Sequence, residues 1–333
     1  MPLSGPLLYF LAAGLPLAFA ILLDLLVGDP PENSWGERVY PPVLVGRLAL
    51  ALSNRVPRED PRKERRAGVL LWAVVAGVAL VISLLFLVVA GPLLLDGVAI
   101  FVFSYRGFWS VTLGLLALGV TVFWVKSLFT ISGLSRYCLR PLGKGIEEKR
   151  QWTARVVNRP TAGLSDELLN SALIESLAEN TTDSVVSPLL YYAFFGLPGL
   201  VIYRSSNTLD ALLGHRERKW RYVGAFSAAV DRILNVPGDA ISGLLLGSGG
   251  EKRAVVSPGA TDLPPRSIVA ASRALRVRLE RSGSYVIGEG WPLPTEDDVR
   301  RAAGKVKKTG LLALALAYMI LGVLAVVGWT FFL

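Results

Sequence analysis

The stretch 168–188, LLNSALIESLAENTTDSVVSP, carries Glu175, Glu179 and Asp183 at i, i+4 and i+8. On a helix each step of four drifts only about 40° around the axis, so the three carboxylates form one stripe. Like charges at this spacing oppose one another by roughly a few tenths of a kcal/mol. No Lys or Arg lies between Arg159 and Arg204 to relieve them. Leu169, Ala172, Leu173 and Leu177 fall on the opposite face and would anchor such a helix with its acids presented. Carboxylates so placed suit Mg²⁺, which takes one or two of them together with substrate phosphates. A merely solvated acidic face is the alternative. The lack of compensating bases and the direct run into an apolar segment favour a site.

That apolar segment ends at Arg204-Ser205-Ser206-Asn207-Thr208-Leu209-Asp210. Asn207 and Asp210, at i and i+3, share a face, and 204–221 holds five Arg and Lys residues, Lys219 among them. Carboxylate, amide and fixed positive charge together suit a polyphosphate with its metal. The alternative is an interfacial helix whose cations snorkel to lipid headgroups. Because the acidic stripe and this basic stretch flank one apolar segment, they are expected to lie close in space. A third feature is Asp24-Leu25-Leu26-Val27-Gly28-Asp29-Pro30. Asp24 at the end of an apolar run is costly unless satisfied. Asp29, held by Pro30-Pro31, is the better ligand candidate.

Several chemistries are excluded by inventory. One cysteine, Cys138, rules out an internal disulfide and any multi-Cys metal centre, and one histidine, His215, argues against a His metal site or a Ser-His-Asp triad. There is no G-x-x-x-x-G-K-[ST] loop, no G-x-G-x-x-G and no G-x-S-x-G elbow. A nucleotide would therefore be held by metal-bound carboxylates and Arg or Lys rather than by a glycine cradle.

The elements that must position these residues are membrane helices. The chain has 333 residues, 52% hydrophobic and only 18% charged, with mean hydropathy +0.49. The ranges 67–95, 107–125, 184–203 and 309–333 contain no Asp, Glu, Lys or Arg, and 2–23 is uncharged up to Asp24. A bilayer core about 30 Å thick needs roughly 20 such residues. No basic leader or small-x-small cleavage site marks 2–23 as a removable signal, so it reads as a retained span. The pattern predicts an all-α polytopic membrane protein, a single embedded domain over 1–333 with about four to six embedded helical segments. Spans are expected near 5–27, 68–91, 107–131 and 310–332, with polar loops 28–66, 132–183 and 204–308. Basic residues crowd those loops, whereas 92–106 carries only Arg106. The positive-inside rule then makes the polar loops cytoplasmic, and it assigns the net charge of +9 to anionic lipid rather than to nucleic acid.

Both flanks of 184–203 are thus cytoplasmic, and Pro188, Gly196, Pro198 and Gly199 interrupt it. A re-entrant hairpin is expected there, since broken backbone at membrane depth is tolerated when buried in protein. A returning segment at 222–247, containing Asp231, Arg232 and Asp239, is the other way to restore parity. Thr295-Glu296-Asp297-Asp298 predicts a helix start that runs into the last span.

At these residues the chain resembles the membrane-bound cobalamin biosynthesis proteins called CbiB or CobD, the adenosylcobinamide-phosphate synthases. The matching runs are Asp24 to Pro30 with Gly46-Arg47-Leu48, Ile174 to Asp183 with Ser187-Pro188-Leu189, and Asn207-Thr208-Leu209-Asp210 with Gly214 and Arg218 to Gly224. Ser257-Pro258, Leu275, Arg278-Leu279 and Gly288-Glu289 add a weaker match. The resemblance implies an amide ligase. It would join adenosylcobyric acid to (R)-1-aminopropan-2-ol phosphate, or to the free amino alcohol, with ATP as co-substrate and Mg²⁺ as cofactor. On that reading Glu175, Glu179 and Asp183 handle metal or amine. Asn180, Asn207 and Asp210 orient metal and phosphate, and Arg159, Arg204 and Lys219 act as clamps. The metal set is Asp29, Glu179, Asp183 and Asp210. The expected partners are the corrinoid, the amino alcohol phosphate and the bilayer, with a homo-oligomer left open.

The chain departs from the family pattern in places. Tyr40-Pro41 stands where the family has His-Pro, Pro160 where it has an acid, and Arg232 and Asp239 where it has the opposite charges. Gly259 replaces an asparagine. The swaps at 232 and 239 could preserve an ion pair or mark a paralogue. The competing readings are a non-catalytic signalling modulator of the AmpE type and a transporter.

Overall fold

The computed structural model describes residues 5–31, 34–57, 60–103, 108–214, 220–247 and 263–327, with side chains described outside 96–110. Lys219, His215 and the Ser257-Pro258-Gly259 motif lie outside the described residues. In chain order the elements are α1 (Gly5–Leu26), α2 (Trp35–Arg38), α3 (Pro41–Ser53), α4 (Pro61–Phe103), α5 (Phe108–Ser127), α6 (Ser132–Leu139), α7 (Ile146–Thr153) and α8 (Asp166–Thr181). A π-helical turn (Thr182–Val186) follows, then α9 (Ser187–Leu213), α10 (Ala225–Gly247), α11 (Arg266–Leu275), β1 (Leu279–Arg281), β2 (Tyr285–Ile287) and α12 (Glu296–Val327). Among the described residues four helical stretches are long and apolar enough to cross a membrane, and α5 with α6 forms a fifth if that bent pair is one span. The protein is a multi-pass, all-α membrane protein, with one two-stranded hairpin among the described residues.

The chain divides into two compact units. The first comprises 1–129, 188–234 and 315–333. Here α1 packs on α4 and α5, and α3 packs on the same pair. Leu70, Leu85, Val88, Leu115 and Leu116 point outward, as they must where lipid is the solvent. Pro16 loosens the ladder of α1. The hydroxyls of Tyr192 and Tyr318 donate to the nearby carbonyls of Ala13 and Gly14 at 2.8 and 2.7 Å.

Within α9 the chain doubles back at Gly196, whose φ of 60° and ψ of −155° no helix accommodates. In a straight helix Tyr191 and Tyr203 would stand about 18 Å apart along the axis. Their rings instead stack with centroids 5.0 Å apart. This is the hairpin the glycine and proline pattern predicts. Gly199 lets its arms close, since a Cβ there would stand 2.3 Å from that of Phe195. Pro198 opens the second arm, where its missing N–H has no partner to lose.

The second unit comprises 130–187 and 235–314. Its centre is α8, buried without interruption from Leu169 to Ala178 and packed on α6, α7, α11 and β1. Ser165 caps it by accepting from the Leu168 N–H, and Asp166 and Glu167 occupy the first turn, where the helix dipole favours acids. Leu169, Leu173 and Leu177 are fully buried, each worth about 1.5–3 kcal/mol. Lys149, with no exposed surface, binds Asp166 at 2.7 Å and Glu296 at 2.9 Å, joining α7 to the starts of α8 and α12. Thr295 and Asp298 bond reciprocally where α12 begins. α12 then continues unbroken from the charged first turns into the apolar stretch, as the sequence predicts.

Candidate functional site

The acidic stripe differs from its sequence reading in one respect. Its three members do not share an environment. Glu175 is buried, Asp183 half-buried and only Glu179 exposed. The repulsion expected along the stripe is relieved at its first member. Arg159 approaches Glu175 as a fork, NH2 to Oε1 at 3.1 Å and NH1 to Oε2 at 3.3 Å. Ser171 Oγ donates to Oε1 at 2.9 Å and Tyr285 OH to Oε2 at 2.8 Å. Four donors fill the lone-pair sites of one carboxylate. Glu175 is therefore an anchor for Arg159 rather than a group open to metal or amine. Burial and the Glu175 charge push the Tyr285 phenol well above its usual range, which keeps it a donor.

Glu179 and Asp183 remain at the end of α8 that leaves the core. Asn180 is clipped to Ser176, donating to its carbonyl oxygen at 3.0 Å. Asp183 sits in the π-helical turn, where the Ser187 N–H reaches back to the Thr182 carbonyl. Such single π turns recur at functional sites because they reorient side chains that an α-helix would hold in register.

In the first unit, Arg204 NH1 donates to Asn207 Oδ1 at 2.8 Å, and Asn207 Nδ2 donates to Asp231 Oδ1 at 3.2 Å. Asp210 lies over Gly214. The Gly214 N–H bonds the Asp210 carbonyl at 2.7 Å, and a Cβ on Gly214 would stand 1.9 Å from Asp210 Oδ1. Val201, Arg204, Ser205 and Thr208, on one face of the second arm of α9, line an apolar cavity of about 200 Å³ together with Val45, Phe123 and Trp124.

The first-loop aspartates form a separate cluster. Lys126, at the end of α5, stands 3.1 Å from Asp24 and 2.6 Å from Asp29. Tyr40 OH donates to Asp29 Oδ1 at 2.9 Å and accepts from Lys126 Nζ at 3.1 Å. Burial and the Asp29 charge raise the Tyr40 phenol above its usual range. Asp29, expected as a metal ligand, thus has an ammonium partner, and Asp24, the costly acid, forms an ion pair with the same one. Sequence reasoning passed over Lys126. The available signal was that Asp24 and Lys126 are the first charges met at the ends of two uncharged runs. Tyr285 carried no local signal, because its partner lies 110 residues away in the chain, and of the two partners of Lys149 one, Glu296, lies 147 residues away.

Among the described residues no three His, Cys, Asp or Glu side chains are gathered to hold a metal ion. The expected set of Asp29, Glu179, Asp183 and Asp210 is not a preformed cage. Mg²⁺ does not require one, since it keeps several waters and shares substrate phosphates. The carboxylates of Glu179 and Asp183 are the donor type for an ion that arrives with a phosphate. Asp239, considered above for an ion pair with Arg232, accepts the N–H groups of Arg266 and Ser267 at 3.0 and 3.1 Å and so caps α11.

Comparison with known proteins bears on what this arrangement serves. The family model described as CobD/Cbib protein matches residues 17–313. The chain is 34% identical over 292 residues to a protein of Pyrococcus furiosus named "Probable cobalamin biosynthesis protein CobD", covering 86% of this chain and 91% of that one. A Thermococcus kodakarensis protein of the same name is 35% identical over 294 residues, covering 86% and 88%. One from Methanothermobacter thermautotrophicus is 32% identical over 285 residues, covering 82% and 86%. No solved structure matches.

Proposed function

The chain belongs to the CobD/Cbib protein family, and on that premise we propose that it is a membrane-bound amide synthase of cobalamin biosynthesis. In this reading it joins the carboxyl group of adenosylcobyric acid to the amine of (R)-1-aminopropan-2-ol phosphate, or of the free amino alcohol, at the expense of ATP. The family match across residues 17–313 is the observation that carries the reading.

The chemistry has two steps. A carboxylate oxygen of the corrinoid attacks the terminal phosphorus of ATP, the bond to the leaving ADP breaks, and an acyl phosphate forms. The amine then attacks the acyl carbon, inorganic phosphate departs with the C–O bond, and the ammonium proton passes to a base. Glu179 is the exposed carboxylate suited to take that proton. Asp183 and Glu179 would hold Mg²⁺, which when bound supplies charge neutralisation at the phosphates. Arg204, steadied by Asn207, and Arg159, steadied by Glu175, present guanidinium groups of fixed orientation to phosphate or carboxylate oxygens. Lys219 and Asp210 are assigned to the same phosphate-handling role on the family resemblance. The basic loops are assigned to the cytoplasmic side, where ATP is available.

The test is direct. Purified protein in detergent receives adenosylcobyric acid, the amine, ATP and Mg²⁺, and amide product is measured with ADP. Stoichiometric appearance of both is expected. Absence of product with either amine overturns the proposal.

A further inference from the structure

Helix α10 is built inside out. In a helix on a water-facing surface the apolar stripe is buried and the polar one exposed. Along α10 Ser227 and Ser242 are fully buried and Asp231 is 7% exposed, whereas Ile233, Val236 and Leu244 are 69%, 62% and 73% exposed. Ala225, Ala229, Arg232 and Pro237 share the outward side.

Its contacts in the first unit fix how it runs. The Phe226 ring packs edge-on against Trp72, which hydrogen-bonds Ser206 at 3.0 Å. Asp231 accepts from Asn207, and the Leu234 carbonyl accepts from Tyr191, whose ring stacks on Tyr203. From Phe226 to Leu234 the helix advances about 12 Å, yet Trp72, which bonds Ser206, then Asn207, then Tyr191, which stacks on Tyr203, all stand level with positions 203 to 207 of the second arm of α9, about 6 Å of rise. It crosses that arm rather than running beside it. The level it crosses at is a membrane boundary. Trp72 is one to two turns past Arg65 and Arg66, where the uncharged part of α4 begins, and Arg204 opens the basic stretch that follows the hairpin. Indole rings concentrate at that level.

We infer that α10 is an interfacial helix lying along the bilayer surface, with Ile233, Val236 and Leu244 inserted among the acyl chains next to the headgroups and Arg232 set at the lipid phosphates. Pro237 fits this depth better than a spanning one. It leaves the Ile233 carbonyl without its helical donor, which water at the interface supplies and the hydrocarbon core does not. The inference is independent of the reaction proposed above.

Full-length protein carrying Cys138→Ala receives Ile233→Cys, Val236→Cys or Leu244→Cys, each labelled with a fluorophore and reconstituted in vesicles of phosphatidylcholine and phosphatidylglycerol. Quenching is compared for iodide in the water, a nitroxide near the carboxyl end of the acyl chain and a nitroxide at its far end. The shallow nitroxide is expected to quench most at all three positions. Dominant quenching by iodide makes α10 an aqueous helix, dominant quenching by the deep nitroxide makes it a span, and protection from all three makes its outer face a protein contact. Each of these overturns the assignment. Size-exclusion profiles matching the parent exclude misfolding as the cause, and the readout does not depend on turnover.

Discussion

Tyr285 OH stands 2.8 Å from Glu175 Oε2, a bond that ties the β-hairpin to the middle of α8 across 110 residues of sequence. Its donor side is secure because burial and the carboxylate charge raise the phenol above its ordinary range. Tyr285→Phe removes one of four donors to a buried carboxylate, and hydrogen bonds to charged groups are worth about 1.5–3 kcal/mol. A thermal shift of that size is expected in detergent. The folded protein binds the phenolic proton more tightly than the unfolded chain, so this stabilisation is complete below the ordinary tyrosine range. It is lost as pH rises through the elevated folded value. The difference between parent and Tyr285→Phe should therefore stay constant from about pH 6 to about pH 9. A difference that vanishes within that window would refute the assignment.

Glu175 and Glu179 are separated by one helical turn, and the structure gives them different environments, one buried and one exposed. Glu175→Gln strands Arg159, 15% exposed, without its anion. Breaking a buried pair by removing one partner costs about 3–5 kcal/mol, the lower end applying here because glutamine keeps an acceptor. Glu179→Gln changes an exposed side chain and should move stability by less than about 0.5 kcal/mol. Under the proposed function its turnover should nevertheless fall by about 100-fold or more, the scale of a lost acid–base group. Paired melting and amidation assays check both. Turnover in Glu179→Gln equal to the parent removes it from the site.

Chelation separates the proposed roles further. Glu179 and Asp183 are not part of a preformed metal cage, so metal removal should leave the melting temperature unchanged. Turnover should be lost and then restored by added Mg²⁺. A large drop in melting temperature on chelation would instead reveal a resident structural ion.

Lys126 holds the opposite kind of position, a 4% exposed ammonium between a fully buried Asp24 and a 29% exposed Asp29. Lys126→Met takes the ammonium partner from the buried Asp24, at a cost of about 3–5 kcal/mol. Asp29→Asn should cost less, since water screens its partly exposed carboxylate. The pairing is tested by the double variant Asp24→Asn with Lys126→Met, which should recover part of the loss. Strict additivity of the two single changes would show that the residues do not interact.

How much of this the sequence carried depends on distance along the chain. The apolar runs, the α12 start at Thr295 and the break in α9 are local patterns, and each was legible. The carboxylate stripe was legible as a spacing but not as an environment. A period of four says that Glu175 and Glu179 share a face, yet burial turns on what packs over that face. For Glu175 that is Arg159 and Tyr285, from a loop and a hairpin that no periodicity links to α8. The Asp24–Lys126 pair stands between these cases, as two lone charges at span ends imply a partner without naming it.

Gly196 offers the sharpest test of the hairpin. Its φ of 60° and ψ of −155° lie in a region essentially closed to residues with a Cβ. Holding such a residue there costs about 1–3 kcal/mol. Gly199 acts differently, since its conformation is ordinary but a Cβ would stand 2.3 Å from that of Phe195 and 2.9 Å from the Tyr191 carbonyl oxygen. Gly196→Ala should therefore lower the melting temperature through backbone strain that trimming a neighbour does not relieve. Gly199→Ala should do so through a clash that Phe195→Ala partly relieves. A straight helix through 187–213 predicts the reverse for Gly196→Ala, a gain of up to about 1 kcal/mol from replacing a mid-helix glycine. The sign of that one thermal shift distinguishes a chain that turns back from one that crosses.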